Sequence, residues 1–539
     1  MKNVQTDHST QHMTKQHFYT QKAKNHMKTK NRYILPLLLF PLLVLHSCID
    51  ETLNVDPNRP SSVPTTALIV TAEKQLLDNV RGESASLRSS ALFIQQLSQV
   101  TYTSQSRYDI PFSYSAGVWE GLYEAVNNLQ EIIQLNSDPS TRELVTASGA
   151  GRNATQIAIS RILKSYAFYA LTDLFGDVPY HSYGSDDADF EALQHDPENI
   201  TPRYASQEKI YADLLNELKQ AGDTLLRYPL EKTFGSSDII YGGDNRKWAR
   251  FAQSLRLRFA TRLKEKKPGL YQSHVDDALA KGLFTGNADN AIYSYATASP
   301  NEAPYYRATV TANRRDFALS KPFIDLLKGE NPQLPVADPR LGRYAAPNGD
   351  GEYVGLPYGL TEAESGNFPA TSVSLPGTIY SAANYGEVLM EYAEVAFLLS
   401  EYNNWSQDDY ENGVRASLER WGVSDSEVDA YLSALPPAGQ QSVLNQKYIA
   451  LFTQFLEGWS DYRRTGFPDF LIQEEDVIFS GVINGAEVTY RFNPLFGDGG
   501  VPSRIYYPVK EQSVNLESYQ AAVATQGNDV IETRLWIFK

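Results

Sequence analysis

The sequence predicts an α-dominated body overlaid by a large layer of irregular loops with a few short strands. Two observations carry this reading. Apolar residues recur at helical spacing through much of the chain, as in Ile159, Ile162, Leu163, Tyr166, Ala167, Ala170, Leu171 and Leu174. Between such stretches lie long segments rich in Gly, Pro, Asn and Tyr, whose aromatic content argues for order rather than disorder.

Taken in chain order, the first element is a leader. Residues 33–45, YILPLLLFPLLVL, carry no charge and follow Lys28, Lys30 and Arg32. A basic start, a short apolar run and a small-residue end describe a secretory signal. Thirteen residues fall short of the roughly 20 that a membrane-spanning helix needs. Pro36 and Pro41 would also interrupt a buried helix. The run ends at Cys48, the single cysteine of 539 residues. Leu45-His46-Ser47-Cys48 resembles the lipobox of bacterial lipoproteins, and implies cleavage before Cys48 and lipid on it. Residues 1–26 are polar and hold four of the chain's eight histidines, so Met27 is the expected translation start.

Helices are expected near 64–80, 84–100, 116–134, 159–174, 205–226, 246–264, 315–328, 389–399, 408–421 and 444–459. Several form adjacent pairs with short connections, as in stacked hairpins, although no 34-residue repeat is clear. Loops are expected at roughly 176–203, 229–245, 284–314, 329–385 and 466–515, with short strands at 487–491 and 505–507. One large domain follows, with 1–47 as leader, 48–62 as tether and 63–539 as body.

Composition narrows the function. The formal charge is −16, and removing residues 1–47 makes it more negative, because they hold seven Lys+Arg and one Asp. Such a surface is unsuited to nucleic-acid phosphates or to polybasic docking on anionic lipid. Beyond Cys48 there is no cysteine for disulfides or thiol catalysis, and only His181, His195 and His274 remain. The chain lacks a His-Glu-x-x-His stretch, a phosphate-cradling Gly-Lys-Ser/Thr loop and a Gly-x-Ser-x-Gly elbow. No metal or cofactor is expected. Tyrosine is abundant, 34 against 23 Phe, and its broad apolar face with a polar tip suits sugars or peptides.

Six segments in order resemble one family: LNVDPNRPSSVP (53–64), RILKSYAFYALTDLFGDVPY (161–180), DNRKWARFAQSLRLRFATRL (244–263), DFALSKPFIDLLKGENPQLPVADPRLGRY (316–344), LFTQFLEGWSDYRRTGFP (451–468) and SRIYYPVKEQSVN (503–515). Together they resemble the SusD/RagB family of outer-membrane nutrient-binding lipoproteins, in its SusD-like second subfamily. The resemblance implies a mainly α fold, with four tetratricopeptide-like helical hairpins and loops on the opposite face. It implies capture of oligosaccharides, or in some members peptides, without catalysis. The implied partner is a SusC-like TonB-dependent transporter. Asp50 and Glu51 resemble a surface-export signal, which implies an anchored protein facing the exterior.

Within this frame the helix-borne charges read as structural. Trp459, Asp461, Arg463 and Arg464 are expected to lock the scaffold, as are Trp248, Phe251, Arg256 and Arg258. Trp119, Leu122, Val126 and Leu129 form an apolar helix face. A glycan-degrading enzyme would need two carboxylates across a cleft. Asp173 with Asp177, or Glu391 with Glu394, are the pairs to inspect. Ligand contacts are expected in two loops that match ligand-facing parts of the family. One supplies Tyr102, Arg107, Tyr108, Phe112 and Tyr114, and the other Tyr305, Tyr306 and Arg307.

Overall fold

Helix α1 (Thr65–Arg81) buries Leu68, Ile69, Ala72, Leu76, Leu77 and Val80, one stripe at helical spacing. The computed structural model describes residues 63–194 and 200–539, and Ser62–Lys539 form one compact unit. The leader, Cys48, Asp50, Glu51 and His195 lie outside the described residues.

The stripe of α1 is covered by α2 (Phe112–Ser137), which buries the expected Trp119, Leu122, Val126 and Leu129. Next comes α3 (Asn153–Phe175), buried at every position from Thr155 to Phe175. A helix apolar on one side only could not occupy that place, and α3 meets the requirement by pairing most of its polar side chains, among them Arg161, Lys164, Thr172 and Asp173. The series continues through α4 (Gln207–Arg227), α5 (Asn245–Arg262) and α6 (Pro268–Lys281), each packed on its predecessor. Ser206 caps α4 and Asp244 caps α5 by accepting free backbone N–H groups of the first turn. Farther along, α7 (Tyr392–Tyr402) packs on α8 (Gln407–Arg420), α9 (Gln440–Ala450) and α5. Phe397, Tyr410, Val414, Leu418 and Val443 make a second apolar cluster there. Next along the chain is α10 (Phe455–Thr465), and a helix over Leu516–Gln526 follows it nearer the C-terminus.

The strands among the described residues form four antiparallel pairs: β1 (Leu97–Gln99) with β5 (Phe317–Leu319), β2 (Val178–Pro179) with β3 (Tyr204–Ala205), β4 (Ala291–Ser294) with β6 (Gly386–Met390), and β7 (Val477–Ile483) with β8 (Ala486–Arg491). These short pairs tie distant loops to the helices.

Several expectations need correction. The helical pattern over 444–459 is two helices, α9 and α10, separated at Thr453, whose φ of 76° ends the first. The helix expected over 315–328 is β5 followed by Lys321–Leu327. Ser320 caps that helix through the Phe323 N–H and Pro322 fits its first turn. Residues 84–100 divide into a π-helical segment Glu83–Ser90, a short turn of α-helix and β1. Leu389 lies in β6, before α7 begins. Residues 505–507 form no strand.

Candidate functional site

The carboxylate pairs that would make a hydrolase are all buried in the scaffold. Asp173 accepts from Arg262 at 2.5 Å and Ser460 at 2.6 Å, and also from the Tyr211 hydroxyl. Asp177 accepts the Gln207 N–H at 2.8 Å. Glu394 receives the Arg258 Nε at 2.6 Å, and Glu391 faces Arg420 at 2.9 Å. The motif residues of α5 and α10 are scaffold residues, as their spacing predicts. Trp459 is fully buried and donates to the Pro502 carbonyl at 2.8 Å. Arg464 forks onto Glu401 at 2.7 Å through both Nη atoms, while Lys447 reaches Asp461 at 2.9 Å. Burial alone would raise the Asp461 carboxyl, but Lys447 and Arg464 hold it well below the usual range. Among the described residues no group of three or more His, Cys, Asp or Glu side chains is placed to hold a metal ion.

The loop after β1 is different. Gln99 stitches it by accepting the Ser106 N–H at 2.9 Å and donating to Gln105 at 2.6 Å. The Glu362 carboxylate accepts the Tyr102 N–H at 3.3 Å and the Thr103 N–H at 3.0 Å. With its backbone held at φ 55°, Tyr102 is 61% exposed. The Arg314 guanidinium lies 5.0 Å from the centre of its ring, a cation–π distance. An arginine over a ring still this open leaves part of the aromatic surface to solvent.

Arg314 is itself positioned. Its Nε donates to Asp316 at 2.8 Å. Asp316 also accepts from Arg88 at 2.8 Å and from Thr101 at 3.0 Å. Burial would raise this carboxyl, yet the hydrogen bonds from Arg314, Arg88 and Thr101 hold it below its ordinary value, so it stays ionised. Arg88 comes from the π-helical segment Glu83–Ser90, and a second π-helical segment, Arg307–Thr311, precedes Arg314. Such segments recur at functional sites. Beside Arg314 opens a concavity of about 260 Å³, lined by Tyr305, Thr309, Asn313, Arg314, Arg315 and Phe317 among others. Half-buried Tyr114 lies close enough to Arg88 and Arg314 to feel their charge. The two predicted loops therefore converge on Asp316, through neighbours that the sequence reading did not single out.

The predicted residues separate accordingly. Tyr102 lines the open surface and Tyr114 flanks it. Tyr305 stacks on Tyr380 at 4.5 Å, is 5% exposed, and offers the concavity only an edge. Tyr306 is half-buried against the core. Arg307 pairs with Asp78 at 3.0 Å and donates to the Pro300 carbonyl, so its head is committed within the protein. Tyr108 corrects the expectation outright. Its φ of 68° turns the ring inward, where it meets Phe93 at 6.1 Å and Phe492 at 5.5 Å with no exposure. Arg107 donates to the Asn493 carbonyl at 2.9 Å, and exposed Phe112 lies against Tyr506 at 4.7 Å; both face the C-terminal loop. Sequence reasoning missed Arg88, Arg314, Arg315, Asp316 and Glu362. The run Arg314-Arg315-Asp316, directly after the tyrosine-rich 301–309 stretch, was the available signal.

Residues 57–493 match the model of a family described as SusD-like, starch-binding and associating with the outer membrane. Among solved structures, a chitin-binding protein is 22% identical, with a TM-score of 0.70 over 88% of this chain and 100% of its own. A chitin-binding SusD homolog from Flavobacterium johnsoniae is 22% identical, at TM-score 0.66 over 87% of this chain and 98% of its own. A SusD homolog from Parabacteroides distasonis is 23% identical, at TM-score 0.69 over 88% and 98%. At this identity the likeness establishes the shared helical-hairpin fold. A search of the curated proteins finds no match.

Proposed function

The chain belongs to the SusD-like family, and from that premise we propose that it captures oligosaccharides at the cell surface and hands them to a SusC-like TonB-dependent transporter. The observation that carries the reading is the open Tyr102 ring, braced by Arg314, beside a concavity rich in hydrogen-bond donors. A sugar's C–H face stacks on the aromatic surface, and the Arg314, Arg315 and Asn313 side chains fix its hydroxyls. The bracing by Asp316, Arg88 and Glu362 presets the geometry, which lowers the ordering cost of binding. Binding alone is the task, and no bond is made or broken. That the relatives are described as starch- or chitin-binding supports a glycan over a peptide.

In this reading residues 1–47 are a leader, Cys48 carries lipid, residues 48–62 form a tether and 63–539 form the binding body. Asp50 and Glu51 direct export to the outer face. Several buried acyl chains make such an anchor stable, at roughly 0.8 kcal/mol per methylene. Capture of the full chain from detergent-solubilised native membranes tests the proposal. A co-purifying TonB-dependent barrel is expected, and Cys48→Ala should release the protein from membranes that lack the barrel. Absence of the barrel, together with no affinity for any oligosaccharide, overturns the reading.

A further inference from the structure

The charges around the concavity carry the argument further, resting on the oligosaccharide-binding reading above. The chain as a whole is acidic, with 64 Asp+Glu against 48 Lys+Arg. In such a chain an exposed arginine is surrounded by an excess of carboxylates. Yet the concavity beside Tyr102 is lined by two arginines, Arg314 and Arg315, and by no carboxylate. Arg314 is balanced from behind by Asp316, which is 4% exposed and does not line the opening. Arg315 is exposed, and none of the described residues forms an ion pair or hydrogen bond with its side chain.

Of the nearby acidic side chains, Glu302 is buried and accepts from the Thr311 hydroxyl at 3.2 Å, and the others hold groups apart from Arg315. Glu83 holds the Nε of Arg88 at 2.7 Å. Glu362 holds the backbone N–H groups of Tyr102 and Thr103. Asp78 holds Arg307 and accepts from the Tyr295 hydroxyl at 2.8 Å. A ligand that lies on Tyr102 and enters the concavity therefore meets an arginine with no counter-charge of its own.

We infer that the ligand of this site is an acidic oligosaccharide, one whose sugar ring rests on Tyr102 while a carboxylate or sulfate group meets Arg315. A neutral sugar can accept hydrogen bonds from Arg315 but leaves its charge unmatched, whereas an anionic group meets both. A planar guanidinium matches the paired oxygens of either anionic group, and the charged hydrogen bond is stronger than one to a hydroxyl. What sets Arg315 apart from other exposed arginines is its place in a concavity beside an open aromatic ring.

The test is calorimetric titration of the detergent-solubilised full chain with four probes: an oligogalacturonate, a chondroitin sulfate oligosaccharide, a chitin oligosaccharide and a malto-oligosaccharide. The first two distinguish carboxylate from sulfate as the anion, and the last two are neutral. Binding of an acidic probe in preference to both neutral ones is expected, weakened by added salt. Arg315→Gln, at an exposed position, should reduce that preference by about tenfold or more, the effect of losing one charge-assisted hydrogen bond. Neutral probes that bind as well as acidic ones, or a preference indifferent to Arg315→Gln, overturn the inference and leave oligosaccharide capture standing. If no probe of either kind binds, both fail.

Discussion

In the scaffold, Arg262 joins Asp173 at 2.5 Å and Glu457 at 2.7 Å, with Arg258 on Glu394 beside it, and all five residues are buried. At the loop site, Arg88 and Arg314 share Asp316 at 2.8 Å, with Tyr102 and Arg315 open to solvent. The two networks use the same residue types at the same distances. In the first, the carboxylates neutralise the arginines and no cation faces water. In the second, one aromatic face and one arginine are left over. Burial and surplus, rather than composition, separate a structural lock from a binding surface.

The largest effect expected from disturbing this contrast is in the scaffold. Arg262→Met leaves Asp173 and Glu457 buried beside too few cations, a loss of ~3–5 kcal/mol. Chemical denaturation should report it directly. A loss under about 1 kcal/mol would mean that burial does not give this network its weight.

Glu387 sharpens the contrast from the other side, as a buried carboxylate without an adequate partner. Burial pushes its carboxyl up to about 8; Arg81, 3.9 Å away, and Arg420 offset this only in part, and Asp78 adds to it. Tyr380, Tyr385 and Tyr295 also face it. Its folded value lies above the ordinary 4.5, so the folded state keeps a proton that the unfolded chain gives up. Its contribution is therefore full below that ordinary value and is lost as pH rises towards 8. Glu387→Gln should be more stable than the natural chain near about pH 8, with the advantage vanishing near about pH 5. Parallel denaturation curves at the two pH values check this, and an advantage that grows on acidification would contradict it.

The smallest effect belongs to pairs that are neither buried nor left over. Lys321 and Asp325 meet at 2.5 Å one helical turn apart, with 49% and 29% of their side chains exposed. Lys321→Ala should cost only ~0.3–0.5 kcal/mol. A larger loss in denaturation would show that distance, and not burial, sets the weight of an ion pair here.

The scaffold was legible in the sequence because helical burial repeats. The stripe of α1, the Trp119 face of α2 and the run through α3 all announce themselves by spacing. The division between α9 and α10 was not, because apolar spacing continues across a break made by one left-handed residue, Thr453. The site was legible only in part. Tyr102 and Tyr108 look alike in the sequence and both have positive φ, yet one ring points to solvent and the other into the core. That outcome depends on Glu362 and Phe492, hundreds of residues away in the chain. The run Arg314-Arg315-Asp316 marks the place in the sequence, but that Arg315 lacks a partner while Arg314 has one is visible only in space.

The central claim, that the loop surface around Tyr102 is where oligosaccharide is captured, is tested most directly by titrating the natural chain and Tyr102→Ala with one bound oligosaccharide. Removing an exposed ring from a loop held by backbone contacts should leave the thermal midpoint in place and weaken binding by roughly tenfold, the scale of a lost stacking contact. Equal affinity of the two proteins for that oligosaccharide would contradict the account.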